Sequence, residues 1–274
     1  MDPRVERTAH RGRRVSEPRR LSLEIAVSSP SGARAALDGG ADRVELCVGL
    51  ELGGLTPSQG LIETTVAVGL PVHVLIRPRP GDFVFAADEV DLMERETRAA
   101  VASGASGVVI GALLSDGSLD EVALGRLVEA ARGPGAGGAG IELTLHRAID
   151  QSQDPVAAAV RLAGLGLTRV LTSGGASRAA SGIPTLEAMA RAAGSVQVMA
   201  GGGVDVADIG ALVATGVDAV HLSAKKPARR AGGSWVSLGT RSTSADSDSH
   251  FVTDGAIVAA ARRALDAPSH PAAG

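Results

Sequence analysis

Aromatic side chains are nearly missing from this sequence: Phe83, Phe85, Trp235 and Phe251 are the whole complement of 274 residues, and there is no tyrosine. Stacking of nucleobases needs such rings, so a reader of single strands is a poor fit. Positive charge is not in excess either. Lys and Arg number 27 against 30 Asp and Glu, and the net charge of -3 offers a phosphate backbone no attractive field. The single cysteine, Cys47, excludes an intramolecular disulfide and a cysteine-rich zinc site, and it suits a reducing cytoplasm. No apolar run reaches the ~18 residues of a membrane span. Lysine occurs only at Lys225 and Lys226, which argues against Schiff-base chemistry. No His-x-His or His-Glu-x-x-His spacing is present to suggest a metal-dependent hydrolase.

The chain ends read differently from its middle. The first twenty residues carry seven arginines and little that is apolar, and are expected to form a disordered basic tail. Residues 229–250, rich in Gly, Ser, Thr and Asp, are expected to form a long loop or lid, and 268–274 a short tail. Residues 21–224 contain no candidate linker, and 21–267 are expected to make one domain that includes the 229–250 loop.

That middle alternates β-branched runs with Ala- and Leu-rich helical stretches. Strands are predicted over 21–27, 43–48, 72–78, 107–113, 141–148, 169–173, 196–200 and 219–223. Helices are predicted over 32–37, 59–68, 88–102, 119–131, 155–163, 185–193, 206–215 and 255–267. Eight βα units in about 250 residues point to an α/β fold of the (β/α)8 TIM-barrel type. A doubly wound open sheet is the alternative, because alternation alone does not report closure.

Period-two patterning within the strands then sorts side chains by face. Val44, Leu46 and Val48 oppose Glu45 and Cys47, and Val72, Val74 and Ile76 oppose His73, Leu75 and Arg77. The apolar face must pack on the helices, so the polar one looks into the barrel. This places Glu24, Glu45, Arg77, His146 and His221 inside, toward the C-terminal strand ends where barrel enzymes carry their chemistry. Buried charges must be paired or meet a ligand. Two arrangements satisfy that rule. In one, Arg77 is clamped by Glu24 and Glu45 as a structural network. In the other, these residues form a pocket in which the carboxylates serve as acid and base, Arg77 and Arg79 clamp a small anion, and His146 and His221 relay a proton. Asp82, Arg147 and Asp150 stand in the following loops.

Glycine-rich turns add a second expectation. Thr172, Ser173, Gly174 and Gly175 follow the sixth strand, Gly201, Gly202 and Gly203 the seventh, and Ser223 ends the eighth. Exposed amides in such turns favour an anion, although glycine is also the default for a tight turn.

The residues also carry a family pattern. GADRVELC (40–47), GGLTPS (53–58), IRPRPGDF (76–83), TLHRAID (144–150), RVLTSG (169–174), MAGGGV (199–204) and VHLSA (220–224) resemble the CutC copper-homeostasis family in order and spacing. TDGAIV (253–258) extends the match. The resemblance implies a cytoplasmic TIM barrel associated with copper tolerance or trafficking, with Cu(I) as an expected ligand and no firmly assigned reaction. Ala26 stands where relatives often have cysteine, and Ile149 where they have an aromatic. Cu(I) prefers soft donors. Cys47, Met199 and His73 are the candidates here, with His146 and His221 as further inward imidazoles. The competing expectation is a barrel enzyme for a phosphorylated or carboxylated small molecule. A homodimer is expected on either account.

Overall fold

The structure is a computed structural model that describes residues 20–133, 140–228 and 250–267. The expected basic tail, the 229–250 loop and the C-terminal tail therefore lie outside the described residues, apart from Arg20 and His250.

Eight parallel strands close on themselves in chain order: β1 (Ser22–Val27), β2 (Arg43–Leu46), β3 (Val72–Leu75), β4 (Gly107–Ile110), β5 (Glu142–Leu145), β6 (Arg169–Thr172), β7 (Gln197–Gly201) and β8 (Ala219–Leu222). Closure is made by β8 pairing with β1, with Glu24 opposite His221. The helices alternate with them: α1 (Pro30–Asp38), α2 (Gln59–Val66), α3 (Ala87–Ala102), α4 (Glu121–Arg132), α5 (Pro155–Arg161), α6 (Ile183–Ala192), α7 (Ile209–Ala214) and α8 (Gly255–Asp266). The fold is thus a (β/α)8 barrel, and the open-sheet alternative is set aside.

Local chemistry accounts for the starts of these helices. Ser29, Ser58, Asp120, Asp154 and Asp254 each accept a backbone N–H of the first turn, and proline stands in the first turn of α1, α5 and α6. The strands end earlier than the apolar pattern suggests. β3 stops at Leu75 and β4 at Ile110. A small antiparallel ribbon, β9 (Lys225–Pro227) with β10 (Phe251–Thr253), was not foreseen; its strands are too short to leave a periodic signal.

The outward strand face is apolar except for Thr172. Leu23, Ile25, Val27, Val44, Leu46, Val74, Ile76, Ile110, Leu143, Leu145, Val170 and Val220 are fully buried against the helix ring and form the main core. The inward face carries the charge, interleaved with the apolar Ala26, Leu75, Val109, Leu171, Met199 and Ala219. Its lower part holds Glu24, Arg43, His73, Glu142 and Arg169, and its upper part Glu45, Cys47, His146 and His221. Two glycines make room for the rings: a Cβ on Gly107 would lie 2.8 Å from the His73 ring, and one on Gly111 2.3 Å from that of His146. Among the described residues, no helix is long and apolar enough to cross a membrane.

Candidate functional site

A cavity of about 620 Å³ opens at the C-terminal mouth. Its walls include Glu45, Cys47, Arg77, His146, His221 and Ser223, and its rim includes Arg147, Arg178, Gly202, Gly203 and Lys225. Four of the five residues assigned to a pocket from sequence therefore line one cavity. Glu24 does not. It lies completely buried beneath the cavity, one layer down the barrel.

Glu24 is nevertheless tied to that cavity. One carboxylate oxygen meets Nδ1 of His221 at 2.8 Å, and Nε2 of the same ring lies 3.4 Å from the Glu45 carboxylate. The other oxygen accepts the Nε–H of Arg43 at 2.5 Å, with Nδ1 of His73 at 3.8 Å. Burial works against ionising Glu24, but Arg43, the His221 hydrogen bond and His73 outweigh it and hold the carboxyl well below the ordinary range. Burial also disfavours a charged His221, yet the Glu24 hydrogen bond and both carboxylates raise its imidazole above the usual value. Glu45 goes the other way. Burial, reinforced by the charge on Glu24 and only partly opposed by His221, pushes it up to about 7. Two carboxyls on one imidazole are thereby driven apart, the pattern that separates a fixed charge from a group able to exchange a proton near neutrality.

Arg77 is not held by Glu24 or Glu45, which corrects the clamp considered from sequence. Its two terminal nitrogens donate to the backbone carbonyls of Leu52, Gly54 and Gly81 at 2.9–3.1 Å, and its guanidinium lies 5.1 Å from the centre of the Phe83 ring. The charge that answers Glu24 comes instead from Arg43, a residue not singled out before. His146 begins a 3-10 turn over Arg147–Gln151, and its Nδ1 accepts the N–H of Ala148 at 3.1 Å. Burial, and then the positive charge of Arg77, pull this imidazole down to about 3, so it stays neutral. Its Nε2 therefore carries the proton, and has no partner among the described residues.

The expected anion seat after β6 is already filled. Asp150, nearly buried, accepts the Thr172 hydroxyl at 2.6 Å, the Ser173 N–H at 3.0 Å, the Ser173 hydroxyl at 2.8 Å and the Gly175 N–H at 3.1 Å. Arg147 closes the other side through its Nε–H at 2.7 Å. Thr172 and Ser173 thus bind a carboxylate of this same chain. Arg79 is also misplaced in the sequence reading: beyond Pro78 it turns away from the mouth to pair with Glu89 at 2.5 Å and Asp82 at 3.2 Å. Gly201 faces inward under His221, where a Cβ would come within 2.4 Å of the Leu171 side chain. Gly202 and Gly203, with φ of 103° and 61°, do reach the cavity and lie against Arg147 and Arg178. Arg178, held by Asp205 at 2.6 Å, is a cavity residue that sequence reasoning missed.

The soft donors do not converge. Cys47 lines the cavity among Leu75 and Val109, and burial, then Glu45 and Glu51, push its thiol well above the ordinary range. The sulfur of Met199 accepts an N–H of Arg43 at 3.3 Å, so a fixed cation already engages one of its lone pairs and stands where a metal ion would approach. His73 sits beside Glu24 in the lower layer, and burial pulls it down to about 4. Among the described residues the single group of three donors within 4.8 Å of one another is Glu24, Glu45 and His221. That set is rich in hard carboxylate oxygen and already neutralised by Arg43, which does not fit Cu(I).

Comparison with known proteins agrees with the motifs. Residues 21–226 match the model of the CutC family. The CutC family protein of Xanthomonas campestris pv. campestris (strain B100) is 46% identical over 210 residues, covering 76% of this chain and 85% of its own length. That of Rhizobium meliloti (strain 1021) is 40% identical over 252 residues, covering 91% and 98%. A solved CutC structure from Streptococcus agalactiae, provisionally described as a copper homeostasis protein, superposes with a TM-score of 0.67 at 29% identity over 74% of this chain and 98% of that one. The motifs, the closed barrel and these likenesses agree, and the chain belongs to the CutC family.

Proposed function

We propose that this protein is a barrel enzyme that moves a proton on a small anionic substrate held in the mouth cavity, with Glu45 as the exchanging group. The observation that carries this reading is the buried array Glu24···His221···Glu45, of which only His221 and Glu45 face the cavity. Glu24, kept ionised, orients His221 through Nδ1; His221 in turn presents Nε2 to Glu45. A carboxyl that gains and loses its proton near pH 7 suits general acid and base work in one site. Arg147, Arg178 and Lys225 on the rim supply positive charge for a phosphate or carboxylate. We place the protein in the cytoplasm, where Cys47 stays a thiol. Copper handling, the role attached to the Streptococcus agalactiae relative, finds no converging soft donors among the described residues, and no step is assigned to the metal.

Melting in the presence of inorganic phosphate, citrate and glycerol 3-phosphate tests the anion seat. A ligand at a hundredfold excess over its Kd stabilises the fold by about 2.7 kcal/mol, or several degrees for a chain of this size. Arg178→Ala is expected to remove most of that gain. Unchanged melting with every anion, together with stoichiometric Cu(I) binding against a competing chelator that Cys47→Ser abolishes, overturns the enzyme reading in favour of copper.

A further inference from the structure

Charge is divided unequally around the mouth of the barrel. In a closed ring of eight strands, β2 stands opposite β6 and β3 opposite β7. Arg147, Arg178 and Lys225 reach the cavity from beyond β5, β6 and β8, and Gly202 and Gly203, beyond β7, lie against the two arginines. These cations are at least partly exposed, and Nη1 of each arginine has no acceptor among the described residues. Apolar groups on that side, Val206 and Ile257 among them, share the rim with the cations. The first three strands and the turns after them present a different wall. There the cavity is lined by Ala26, Cys47, Leu50, Gly53, Leu75 and Phe83, and by two polar groups that are already engaged. Glu45 faces His221, and both terminal nitrogens of Arg77 donate to backbone carbonyls.

The apolar wall is held firmly in place. Cys47, Leu75 and Val109 form an inward cluster separate from the main core, and half-buried Leu50 packs on it. Arg77 fastens the turn that carries Leu50, with one terminal nitrogen donating to the carbonyls of Leu52 and Gly54 at 3.0 and 3.1 Å. Thr56 ties the same turn to the end of β3: its N–H donates to the Arg77 carbonyl at 3.0 Å, and its hydroxyl accepts the Arg77 N–H at 2.9 Å. Gly54 lies so close to the wall that a Cβ there would stand 2.7 Å from the Leu75 side chain. Hydroxyl groups set against this surface would give up water without a replacement, whereas an apolar body gains by leaving water. The volume of about 620 Å³ falls within the roughly 300–1,000 Å³ of sites that enclose drug-sized ligands, and far exceeds what a phosphate group alone needs. We propose that the cavity selects an anionic compound with an apolar body of aryl size, the anion set against Arg147, Arg178 and Lys225 and the body against Cys47, Leu50, Leu75 and Phe83. The inference rests on the anion seat proposed above and adds the rest of the ligand. It sets such compounds apart from sugar phosphates, whose hydroxyls this wall cannot answer. A body in that position also keeps water from Glu45, which shares the inward face with Cys47.

Two phosphate monoesters of equal charge separate the apolar wall from simple anion binding. 2-Naphthyl phosphate carries an aryl body, and glycerol 3-phosphate a hydroxylated one. Calorimetry on the full chain is expected to show the naphthyl ester bound on the order of tenfold tighter or more, from the apolar area it removes from water. Leu50→Asn, at a half-buried position that tolerates a polar group, is expected to bring that ratio to within about threefold of one. Arg178→Ala is expected to weaken both esters alike. NMR of the unsubstituted protein gives a reading independent of any variant's folding: the ring protons of the bound naphthyl ester should show nuclear Overhauser contacts to the methyl groups of Leu50 and Leu75. Equal affinity for the two esters, or contacts to the methyl groups of Val206 and Ile257 instead, overturns the assignment of the wall while leaving the anion site standing. Failure of both esters to bind at millimolar concentration removes the anion site and this inference together.

Discussion

A carboxyl that keeps its proton up to about pH 7 makes the fold less stable as pH rises, and Glu45 is such a group. Its native value lies above the ordinary 4.5, so between pH 4.5 and 7 the unfolded chain releases a proton that the native one retains. Glu45→Gln deletes this dependence. The stability of the variant relative to the parent should therefore rise between pH 5 and pH 8 by on the order of 2–3 kcal/mol, read from urea midpoints at several pH values. A flat difference would show that Glu45 ionises normally and would remove its role as a base. At this scale the strand alternation made Glu45, Arg77, His146 and His221 legible, because inward residues repeat with period two. Arg43 and Arg169 share that phase but open their strands, where nothing in the pattern distinguishes a barrel floor from a loop. Thr172 has the phase of Val170 and points outward, so the same rule would have excluded it from the mouth. Arg79, past the end of β3, has no strand phase to read.

The turn after β6 is held open by an aspartate from the element before it. Asp150 gathers hydroxyl and amide donors from Thr172, Ser173 and Gly175, with the Arg147 guanidinium alongside, and it does so almost out of reach of solvent. Asp150→Ala would strand these donors and leave Arg147 without its counter-charge, at a cost of about 3–5 kcal/mol. The vacated space should then accept a small carboxylate from solution. Acetate or formate at tens of millimolar is expected to restore part of the variant's melting temperature and to do little for the parent. A variant that melts within a degree or two of the parent contradicts this assignment. Composition and periodicity announced the βα units, but they could not show this contact: a glycine-rich turn reads alike whether its amides face solvent or an internal carboxylate.

For the molecule as a whole, the unusual feature is a barrel floor made of charge where aliphatic layers are the rule. Glu24 meets Arg43 at 2.5 Å inside the closed ring, and Arg169 meets Glu142 at 2.6 Å and Gln197 at 2.7 Å at its half-exposed N-terminal end. Closure is what buries the Glu24–Arg43 pair, and closure is the property that alternation of strands and helices could not report; the pairing of β8 with β1 supplies it. Burying an ion pair sacrifices solvation that the mutual attraction repays only while both partners remain. Arg43→Met should then cost about 3–5 kcal/mol, because Glu24 is left charged and buried with only His221 and His73 to answer it. Adding Glu24→Gln to that variant removes the orphaned charge. The double variant should be more stable than the sum of the two single losses by about 1–3 kcal/mol, as measured in a double-mutant cycle by chemical denaturation. Additive losses would mean that Glu24 and Arg43 act independently, and that the fixed charge beneath His221, on which the proton-transfer array depends, is not set by the barrel floor.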